Sequence, residues 1–487
     1  MHAAPAFETT MPPEPLESDE PQLPLRVRRA GLLLGPACAL AVGFAPLPLE
    51  TPAHRLAAVA TGAIVFWITE ALPLAVTALL IAPVMVAAGI CSPAAAFAPY
   101  ADPLLFVFVG GFMLARAMSR HGLDRRIALG LVGSRLVAGH PARARLLLVL
   151  AALMVSAWVS NTATAAMLLP ILLGLYGGRP LPSGAVTGSA LAVAYAASLG
   201  GLLTPIGSPP NLIAMRMLAE AGAPVRFVEW SAVSLPVVLL GAAMMVLLLQ
   251  MRHPPGTERL GATDRPDRRW SRGERAAGIA LLVAIAGWVL PDVVPGARAW
   301  IGNRLEAGAV ALFATLIVFV VRDERGAPVL PWSEAVRIDW GIVLLFGGGL
   351  SLGKQMFETG LAATMARSML AVTGVASLAG LVVVLVVVTL LLTEVCSNTA
   401  TANMLAPIAI AMARELGTCP VPAVLGVGLA ASCAFMLPIA TGPNAVVFAT
   451  RAVGIGAMAR AGAWLNVVCA ALIVAVLLVT HGLVCGH

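Results

Sequence analysis

Long apolar runs, separated by charged residues, proline or glycine, occupy most of this chain. A run of about 20 apolar residues is long enough to cross a bilayer as an α-helix. The pattern therefore predicts an all-α polytopic membrane protein with eleven transmembrane helices. The predicted spans are 30–48, 54–72, 74–91, 103–120, 187–221, 230–251, 276–294, 304–321, 341–358, 422–453 and 458–480.

Polar motifs interrupt four apolar runs. Runs 144–176 and 376–415 each contain a Ser-Asn-Thr triplet, and we interpret each run as a re-entrant hairpin of two half-helices that meet at this tip. Spans 187–221 and 422–453 are broken at TPIGSPPN and LPIATGPN. Backbone that leaves helical geometry inside a bilayer persists only where it lines a cavity or binds a ligand. The four breaks therefore predict a binding site.

One twelve-residue phrase occurs twice in nearly the same form. SNTATAAMLLPI begins at Ser160 and SNTATANMLAPI at Ser397, so that Asn398 lies 237 positions after Asn161. This repetition indicates an internal duplication. Each unit contains five predicted crossings, and because five is odd, the second unit must enter the membrane upside down. The sequence therefore predicts an inverted-topology repeat with broken helices, which is a transporter architecture.

The same pattern divides the chain into five segments. Residues 1–29 are rich in proline and acids and are predicted to form a disordered cytoplasmic N-terminus. The first transmembrane helix lies in 30–53 and is followed by repeat 1 at 54–252. A polar cytoplasmic linker at 253–275 then precedes repeat 2 at 276–487.

Positive charge indicates the orientation of the chain. With the N-terminus in the cytoplasm, the arginine-containing loops after spans four, six, eight and ten all fall on the cytoplasmic side, as the positive-inside rule requires. The C-terminus then lies outside. We therefore expect a multi-pass protein of the bacterial inner membrane, with the lipid bilayer as its surroundings.

Composition excludes the water-soluble classes of protein. The chain is 59% hydrophobic and only 11% charged, whereas a soluble domain carries about 25% charged residues. The net charge of +7 does not indicate a nucleic-acid partner, because the basic residues lie in short loops. The seven cysteines show no CxxC or CxxH spacing, so we expect buried small side chains rather than disulfides or metal ligands.

The two repeated tips carry the candidate chemistry. Half-helices that start at Asn161 and Asn398 would point their N-termini into the site, where free N–H groups and the helix dipole favour an anion. The preceding half-helices end in carbonyl oxygens, which suit a hard cation such as Na⁺. The four polar motifs contain no Arg or Lys, so bound sodium would supply the positive charge. A dianion with one carboxylate at each tip fits this symmetry.

Several longer motifs resemble those of the divalent anion/sodium symporter family, which carries dicarboxylates, citrate or sulfate. The resemblance covers spans two to eleven and rests on WITEALPLAVTALL, VSNTATAAMLLPI, WGIVLLFGGGLSLGKQMFETGLA, TEVCSNTATANMLAPI and CAFMLPIATGPNAVVF. It implies eleven spans plus two hairpins in a homodimer. It also implies an elevator-type transporter, in which a mobile transport domain moves against a scaffold.

The resemblance also implies site residues, carried over motif by motif. The expected first sodium site consists of Ser156, Ser160, Asn161 and Gly207. The expected second sodium site consists of Thr393, Cys396, Asn398 and Ala440. The expected substrate contacts are Asn161, Thr162, Ser208, Asn398, Thr399 and Thr441. At least two Na⁺ ions are therefore expected, and the sequence departs from many family members at Gly442, where they have proline.

The function expected from these residues is sodium-coupled symport of a small divalent anion, such as the C4 dicarboxylates succinate and malate. Alternatives on the same fold are a sodium-independent dicarboxylate exchanger and a sodium-coupled citrate or sulfate transporter. Ser156, Ser160 and Thr393 favour symport, because they complete the sodium sites. An ion channel would need a filter or gate, which no motif resembles. An intramembrane enzyme with Ser160 or Ser397 as nucleophile would need a nearby base, and no His or Lys is suitably placed.

Four charged residues in or near the spans leave two interpretations open. Glu70 and Glu394 are intramembrane acids, which are functional candidates by default but could instead accept hydrogen bonds from neighbouring backbone. Arg116 and Lys354 occupy equivalent positions in the two repeats. They could contact substrate or extend to the membrane interface.

Overall fold

The computed structural model describes residues 23–134, 137, 139–177, 184–256, 260, 269–297 and 305–485. Within these residues the chain is helical, apart from turns, loops and one isolated β-bridge between Arg322 and Pro328. The predicted all-α class is therefore confirmed. Most of the segment predicted to be disordered, and much of the predicted linker, lie outside the described residues. The first helix begins at Leu25, so the end of the N-terminal segment is helical.

The described part of the first half of the chain contains eleven α-helices. They are α1 (Leu25–Phe44), α2 (Thr51–Thr69), α3 (Leu74–Ala87), α4 (Pro93–Phe97), α5 (Leu105–His121), α6 (Leu123–Val132), α7 (Pro141–Ser156), α8 (Asn161–Leu175), α9 (Gly184–Gly200), α10 (Pro209–Glu220) and α11 (Phe227–Arg252). A 3₁₀ turn at Ala98–Ala101 lies between α4 and α5.

The described part of the second half contains another eleven. They are α12 (Arg272–Val293), α13 (Pro295–Ala297), α14 (Ala307–Val320), α15 (Trp332–Ala335), α16 (Trp340–Glu358), α17 (Leu361–Thr373), α18 (Leu378–Thr393), α19 (Asn398–Glu415), α20 (Val421–Ala431), α21 (Gly442–Ala449) and α22 (Ile455–Val484).

The broken helices predicted from the polar motifs are present. The break between α7 and α8 falls at the first Ser-Asn-Thr, and that between α18 and α19 falls at the second. TPIGSPPN separates α9 from α10, and LPIATGPN separates α20 from α21. Each of the last two breaks contains a proline, which cannot continue a helix, and each following helix has proline in its first turn, where it is well placed.

Only some helices are long enough to cross a bilayer by themselves. In the described residues, five helical stretches are long and apolar enough, or six if α17 and α18, bent by 98°, form one span. Five further apolar helices, α3, α8, α9, α14 and α20, have 10–17 residues. Of these, α8, α9 and α20 belong to the predicted hairpins and broken spans, whereas α3 and α14 fall on spans predicted to be unbroken. The count of eleven spans and the upside-down entry of the second repeat stay predictions.

The centre of the molecule is built by α9 and α20. Every residue from Val186 to Gly200 in α9 is buried, and so is every residue of α20. A helix that is apolar on all sides belongs in the interior of a protein. These two helices therefore hold the breaks that follow them against the rest of the fold.

Matched hydrogen bonds close the two broken spans in the same way. The Asn211 side chain donates through Nδ2 to the carbonyls of Gly201 and Thr204, both at 2.8 Å. The Asn444 side chain donates to the carbonyls of Ala434 and Leu437, at 3.2 and 3.0 Å. Both asparagines are fully buried. The same local structure in both halves supports the duplication inferred from the sequence.

The expectation that the cysteines form no disulfide was wrong. A disulfide joins Cys419, in the loop after α19, to Cys485, at the end of α22. The two positions are 66 residues apart, so no local spacing could indicate the pair. Folding brings the C-terminal end of α22 against that loop. The remaining cysteines, all free and within the described residues, are Cys38, Cys91, Cys396, Cys433 and Cys469.

Candidate functional site

Four helix N-termini converge on one cavity of about 210 Å³. The first residues of α8, α10, α19 and α21 all line it, namely Asn161, Pro209, Asn398 and Gly442. The sequence analysis expected two such N-termini, those at the Ser-Asn-Thr tips. The structure adds the N-termini of α10 and α21. All four contribute a positive dipole end, and those of α8 and α19 also present first-turn N–H groups, whereas α10 begins with two prolines, which have none. The cavity is therefore suited to an anion.

Local sequence explains why these helices begin at the cavity. Ser208 and Thr441 precede α10 and α21 in extended conformation, and prolines follow in the first turn. Gly207 has no room for a side chain, because a Cβ there would lie 2.6 Å from the carbonyl oxygen of Gly201. In the described residues, neither Ser160 nor Ser397 caps its helix through its side chain. The first-turn N–H groups of α8 and α19 are therefore left for another acceptor.

All six residues expected to contact substrate line the same cavity: Asn161, Thr162, Ser208, Asn398, Thr399 and Thr441. Thr162 is exposed to the cavity and the two asparagines are half-buried, whereas the other three are buried. The hydroxyl of Ser208 lies 2.8 Å from that of Ser432, so the two repeats touch at this point. The structure thus brings the six together, and their role in binding stays a prediction.

Behind the first tip, three oxygen atoms meet. Ser156 is fully buried, and its Oγ lies 2.7 Å from Oδ1 of Asn161 and 2.6 Å from the carbonyl oxygen of Ala197. Behind the second tip, Oγ1 of the fully buried Thr393 lies 2.8 Å from Oδ1 of Asn398 and 2.6 Å from the carbonyl oxygen of Ala431. The two repeats therefore build the same oxygen cluster.

In each cluster one hydroxyl proton is available to two neighbouring oxygens, and it can be donated to only one of them at a time. In the first cluster the carbonyl of Ala197 also accepts the backbone N–H of Gly201, at 3.2 Å. Hard cations are bound by such sets of carbonyl, amide and hydroxyl oxygens. The remaining residues expected at the sodium sites, Ser160, Gly207, Cys396 and Ala440, line the adjoining cavity. Donor chemistry and position both fit Na⁺.

Among the described residues that line the cavity there is no Lys, Arg or His, but there are two acidic residues, Glu70 and Asp339. Glu70 ends α2 in the left-handed conformation, with a φ of 47°. Its Oε2 accepts a hydrogen bond from the backbone N–H of Leu23 at 3.2 Å, and its carbonyl accepts one from Arg28 at 3.0 Å. The second acid is Asp339, which caps α16 through its side chain.

Glu394 holds the second broken span in place. It is buried, and its carboxylate accepts hydrogen bonds from the backbone N–H groups of Phe435, Met436 and Leu437 at 2.9–3.2 Å. The side chain of Asn466 donates to it at 2.7 Å. Glu394 therefore has a structural role here, which agrees with the interpretation that it accepts hydrogen bonds from neighbouring backbone.

The first repeat has no carboxylate at the corresponding place. There the hydroxyl of Thr204 donates to the carbonyl of Ala157 at 2.5 Å and fixes the first break. Both repeats thus tie the end of a hairpin half-helix to the following broken span, with different chemistry.

Arg116 and Lys354 do not line the cavity. Arg116 forms a salt bridge with Glu334 at 2.8 Å, and Lys354 lies 3.9 Å from the carboxylate of Glu358. Sequence reasoning missed Ser432 and the carbonyls of Ala197 and Ala431, because a carbonyl belongs to every residue and a lone serine gives no signal.

Comparisons with known proteins agree with this architecture. The family model described as "CitMHS: Citrate transporter" matches residues 64–419 and 299–484. The sodium-dependent dicarboxylate transporter SdcS of Staphylococcus saprophyticus is 31% identical over 479 residues, which cover 93% of this chain and 91% of that protein. SdcS of Staphylococcus aureus (strain bovine RF122) is 31% identical over 481 residues, which cover 94% and 92%.

The fold has a solved counterpart. The Alcanivorax borkumensis YdaH transporter, whose crystal structure was described as having an unusual topology, superposes with a TM-score of 0.59 at 18% sequence identity. The match covers 94% of this chain and 99% of that one. At this identity the similarity establishes the fold alone.

Proposed function

Since this chain belongs to the CitMHS citrate transporter family and to the divalent anion/sodium symporters, we propose that it couples the uptake of a C4 dicarboxylate, such as succinate or malate, to sodium. It is a transporter rather than an enzyme, and a multi-pass protein of the bacterial plasma membrane. The relatives named as sodium-dependent dicarboxylate transporters support both parts of the proposal.

The observation that carries the coupling is the position of two amides, those of Asn161 and Asn398. In each, Oδ1 belongs to an oxygen cluster that fits a cation, while the residue itself lines the cavity at a helix N-terminus. An amide has an acceptor at one end and donors at the other. With sodium at Oδ1, Nδ2 is left to donate to a substrate carboxylate.

Loss of sodium would undo this arrangement. Rotation of the amide would let Nδ2 donate to the Ser156 or Thr393 hydroxyl. That hydroxyl would then donate its own proton to the neighbouring carbonyl, of Ala197 or Ala431. The donor would leave the cavity, and the positive charge of the ion would be lost as well. Affinity for the dianion therefore depends on at least two bound Na⁺ ions, one at each tip, and transport is coupled.

Uptake by purified protein in liposomes tests the proposal. Labelled succinate, citrate and sulfate would be supplied with sodium, lithium or potassium outside. We expect succinate to accumulate under a sodium gradient, at least about tenfold faster than in potassium, since tenfold corresponds to only about 1.4 kcal/mol of lost binding. Protein-free liposomes give the leak.

The same assay separates the alternatives. Preference for citrate would agree with the description of the matching family model and would replace the C4 assignment. Counterflow of succinate that persists in sodium-free buffer would identify an exchanger and contradict coupling. Uptake of all three anions without sodium would contradict the sodium sites altogether.

The family also implies two larger features, which we include in the proposal. The chain forms a homodimer, and the cavity moves across the membrane by an elevator motion of the hairpins and broken spans. The elevator motion is supported by the mutual packing of α8, α9, α10, α19, α20 and α21 at the cavity, whereas the dimer follows from the family resemblance alone. A detergent-solubilised particle with the mass of one chain would contradict the dimer.

The disulfide tests the proposed orientation. Cys419 and the C-terminal Cys485 lie at the same end of the fold, which the positive-inside pattern places outside the cell. There a disulfide persists, because that compartment is oxidising. We expect a membrane-impermeant maleimide to label intact spheroplasts more strongly after treatment with an impermeant reductant.

The matched control is the double variant Cys419→Ser/Cys485→Ser, in which this increase should vanish while the labelling of other cysteines stays. An increase that requires permeabilised cells would place the C-terminus in the cytoplasm and contradict the orientation.

A further inference from the structure

The cavity contains one close contact between the two repeats that only a glycine permits. A Cβ built on Gly442 would overlap Oγ1 of Thr162 and lie 2.8 Å from its Cβ and 2.9 Å from its Cγ2. Real carbon atoms do not approach this closely, so Thr162 would have to move. Gly442 has no left-handed φ, and the requirement is therefore steric rather than conformational.

The direction of that movement follows from the surroundings. Thr162 is exposed to the cavity on one side and contacts the start of α21 on the other. A side chain at position 442 would therefore push Thr162 towards the cavity, narrow it there and displace the hydroxyl. The backbone of Gly442 is held in place by helix α21, so the side chain of Thr162 is the group that would move.

The counterpart in the other repeat is different. Position 209, which corresponds to 442, is proline, and Thr399, which corresponds to Thr162, is buried instead of exposed. The cavity is thus asymmetric at these positions, as it is where Ser208 corresponds to Thr441. The two tips share the sequence SNTATA, so the asymmetry arises outside them.

We propose that Gly442 is a specificity-determining residue that acts through Thr162, by keeping the hydroxyl of this threonine withdrawn against α21 and the cavity wide at the first tip. The inference rests on the proposed dianion transport. A substitution at 442 changes the affinity for substrate through Thr162, whereas sodium affinity at the second tip changes less. Bulkier anions lose more than succinate.

A double-mutant cycle tests this coupling with Gly442→Ala, Thr162→Gly and the double variant. Thr162→Gly removes all three atoms that the new methyl group would meet. We expect Gly442→Ala to raise the KM for succinate about tenfold in the wild-type background, which is within the coupling energies of residues in contact. In the Thr162→Gly background the same substitution should leave KM unchanged.

The matched control is Gly454→Ala. Gly454 precedes α22, and a Cβ there would have no neighbour within 4 Å. This variant should transport like the wild type. Recovery of folded Gly442→Ala protein only when Thr162→Gly is also present would likewise support the steric contact.

Two results would overturn the inference. An equal rise of KM in both backgrounds would mean that Gly442 acts through the backbone of α21, and an unchanged KM would mean that the contact does not matter. The midpoint of thermal unfolding, measured over the same cycle, reports the contact without transport. If the effects of the two substitutions on the midpoint are non-additive but the protein transports no dianion, the proposed function is rejected and the steric contact is still supported.

Discussion

Asn398→Ala is expected to reduce sodium-driven succinate uptake by about a hundredfold in kcat/KM, and Asn161→Ala should do the same. Each substitution removes an oxygen from a cation cluster and a donor from the anion site. Hydrogen bonds to charged groups contribute about 1.5–3 kcal/mol, and about 2.8 kcal/mol corresponds to a hundredfold. The measurement is initial uptake into liposomes at several sodium and succinate concentrations.

Asparagine 403 provides a matched control on the same helix. Asn403 is buried, donates to the carbonyl of Leu345 at 3.2 Å and does not line the cavity. The first repeat has Ala166 at the corresponding place. Asn403→Ala should therefore keep uptake within about threefold of the wild type, because it removes no group that lines the cavity and distant sites act independently.

The substitution Asn398→Asp tests whether this side chain links the cation cluster to the anion site or has only a structural role. A carboxylate in the cluster attracts sodium and repels the dianion, so sodium should be needed at lower concentration while the KM for succinate rises. If both affinities fall together, or if Asn398→Ala transports normally, the amide does not join the two sites.

Glu394→Ala is expected to destabilise the protein by about 3–5 kcal/mol, because it leaves buried N–H groups of the second break without an acceptor. The effect should appear as a large fall in the midpoint of thermal unfolding of the detergent-solubilised protein. Glu394→Gln keeps one acceptor oxygen but brings its own N–H₂ towards the donors, so we expect an intermediate midpoint.

Glu306→Ala is the control for the loss of a carboxylate. Glu306 is exposed and precedes α14 without capping it through its side chain, and surface substitutions of this kind change stability by about 0.5 kcal/mol or less. Its midpoint should stay close to that of the wild type. A Glu394→Ala protein as stable as this control would show that the second break does not depend on the carboxylate.

Much of the fold could be predicted because membrane helices have a strong and simple signal. Apolar runs, prolines and the repeated Ser-Asn-Thr phrase predicted the helix breaks. Unpaired backbone groups within a bilayer are unfavourable and are found only where they line a cavity or are buried in protein. The residues expected at the site by resemblance all lie at or directly behind one cavity. The local motifs therefore carried most of the site.

The remaining features depend on contacts between distant segments, which a single sequence does not report. The partners of Glu394 lie about forty residues away, at Phe435, Met436 and Leu437, and act through backbone groups. Cys419 and Cys485 meet only after the last helix has packed. The contact of Gly442 with Thr162 joins the two repeats, and no spacing rule relates them.

The burial of α20 on every side has a consequence for how the chain enters the membrane. Its 11 residues reach only about 16 Å, roughly half the hydrocarbon thickness. Such a segment cannot cross the lipid alone, and its exposed ends would leave peptide groups without partners. It can be enclosed only together with its neighbours, so we expect mutations that disturb their packing to reduce the yield of folded protein before any defect in transport becomes visible.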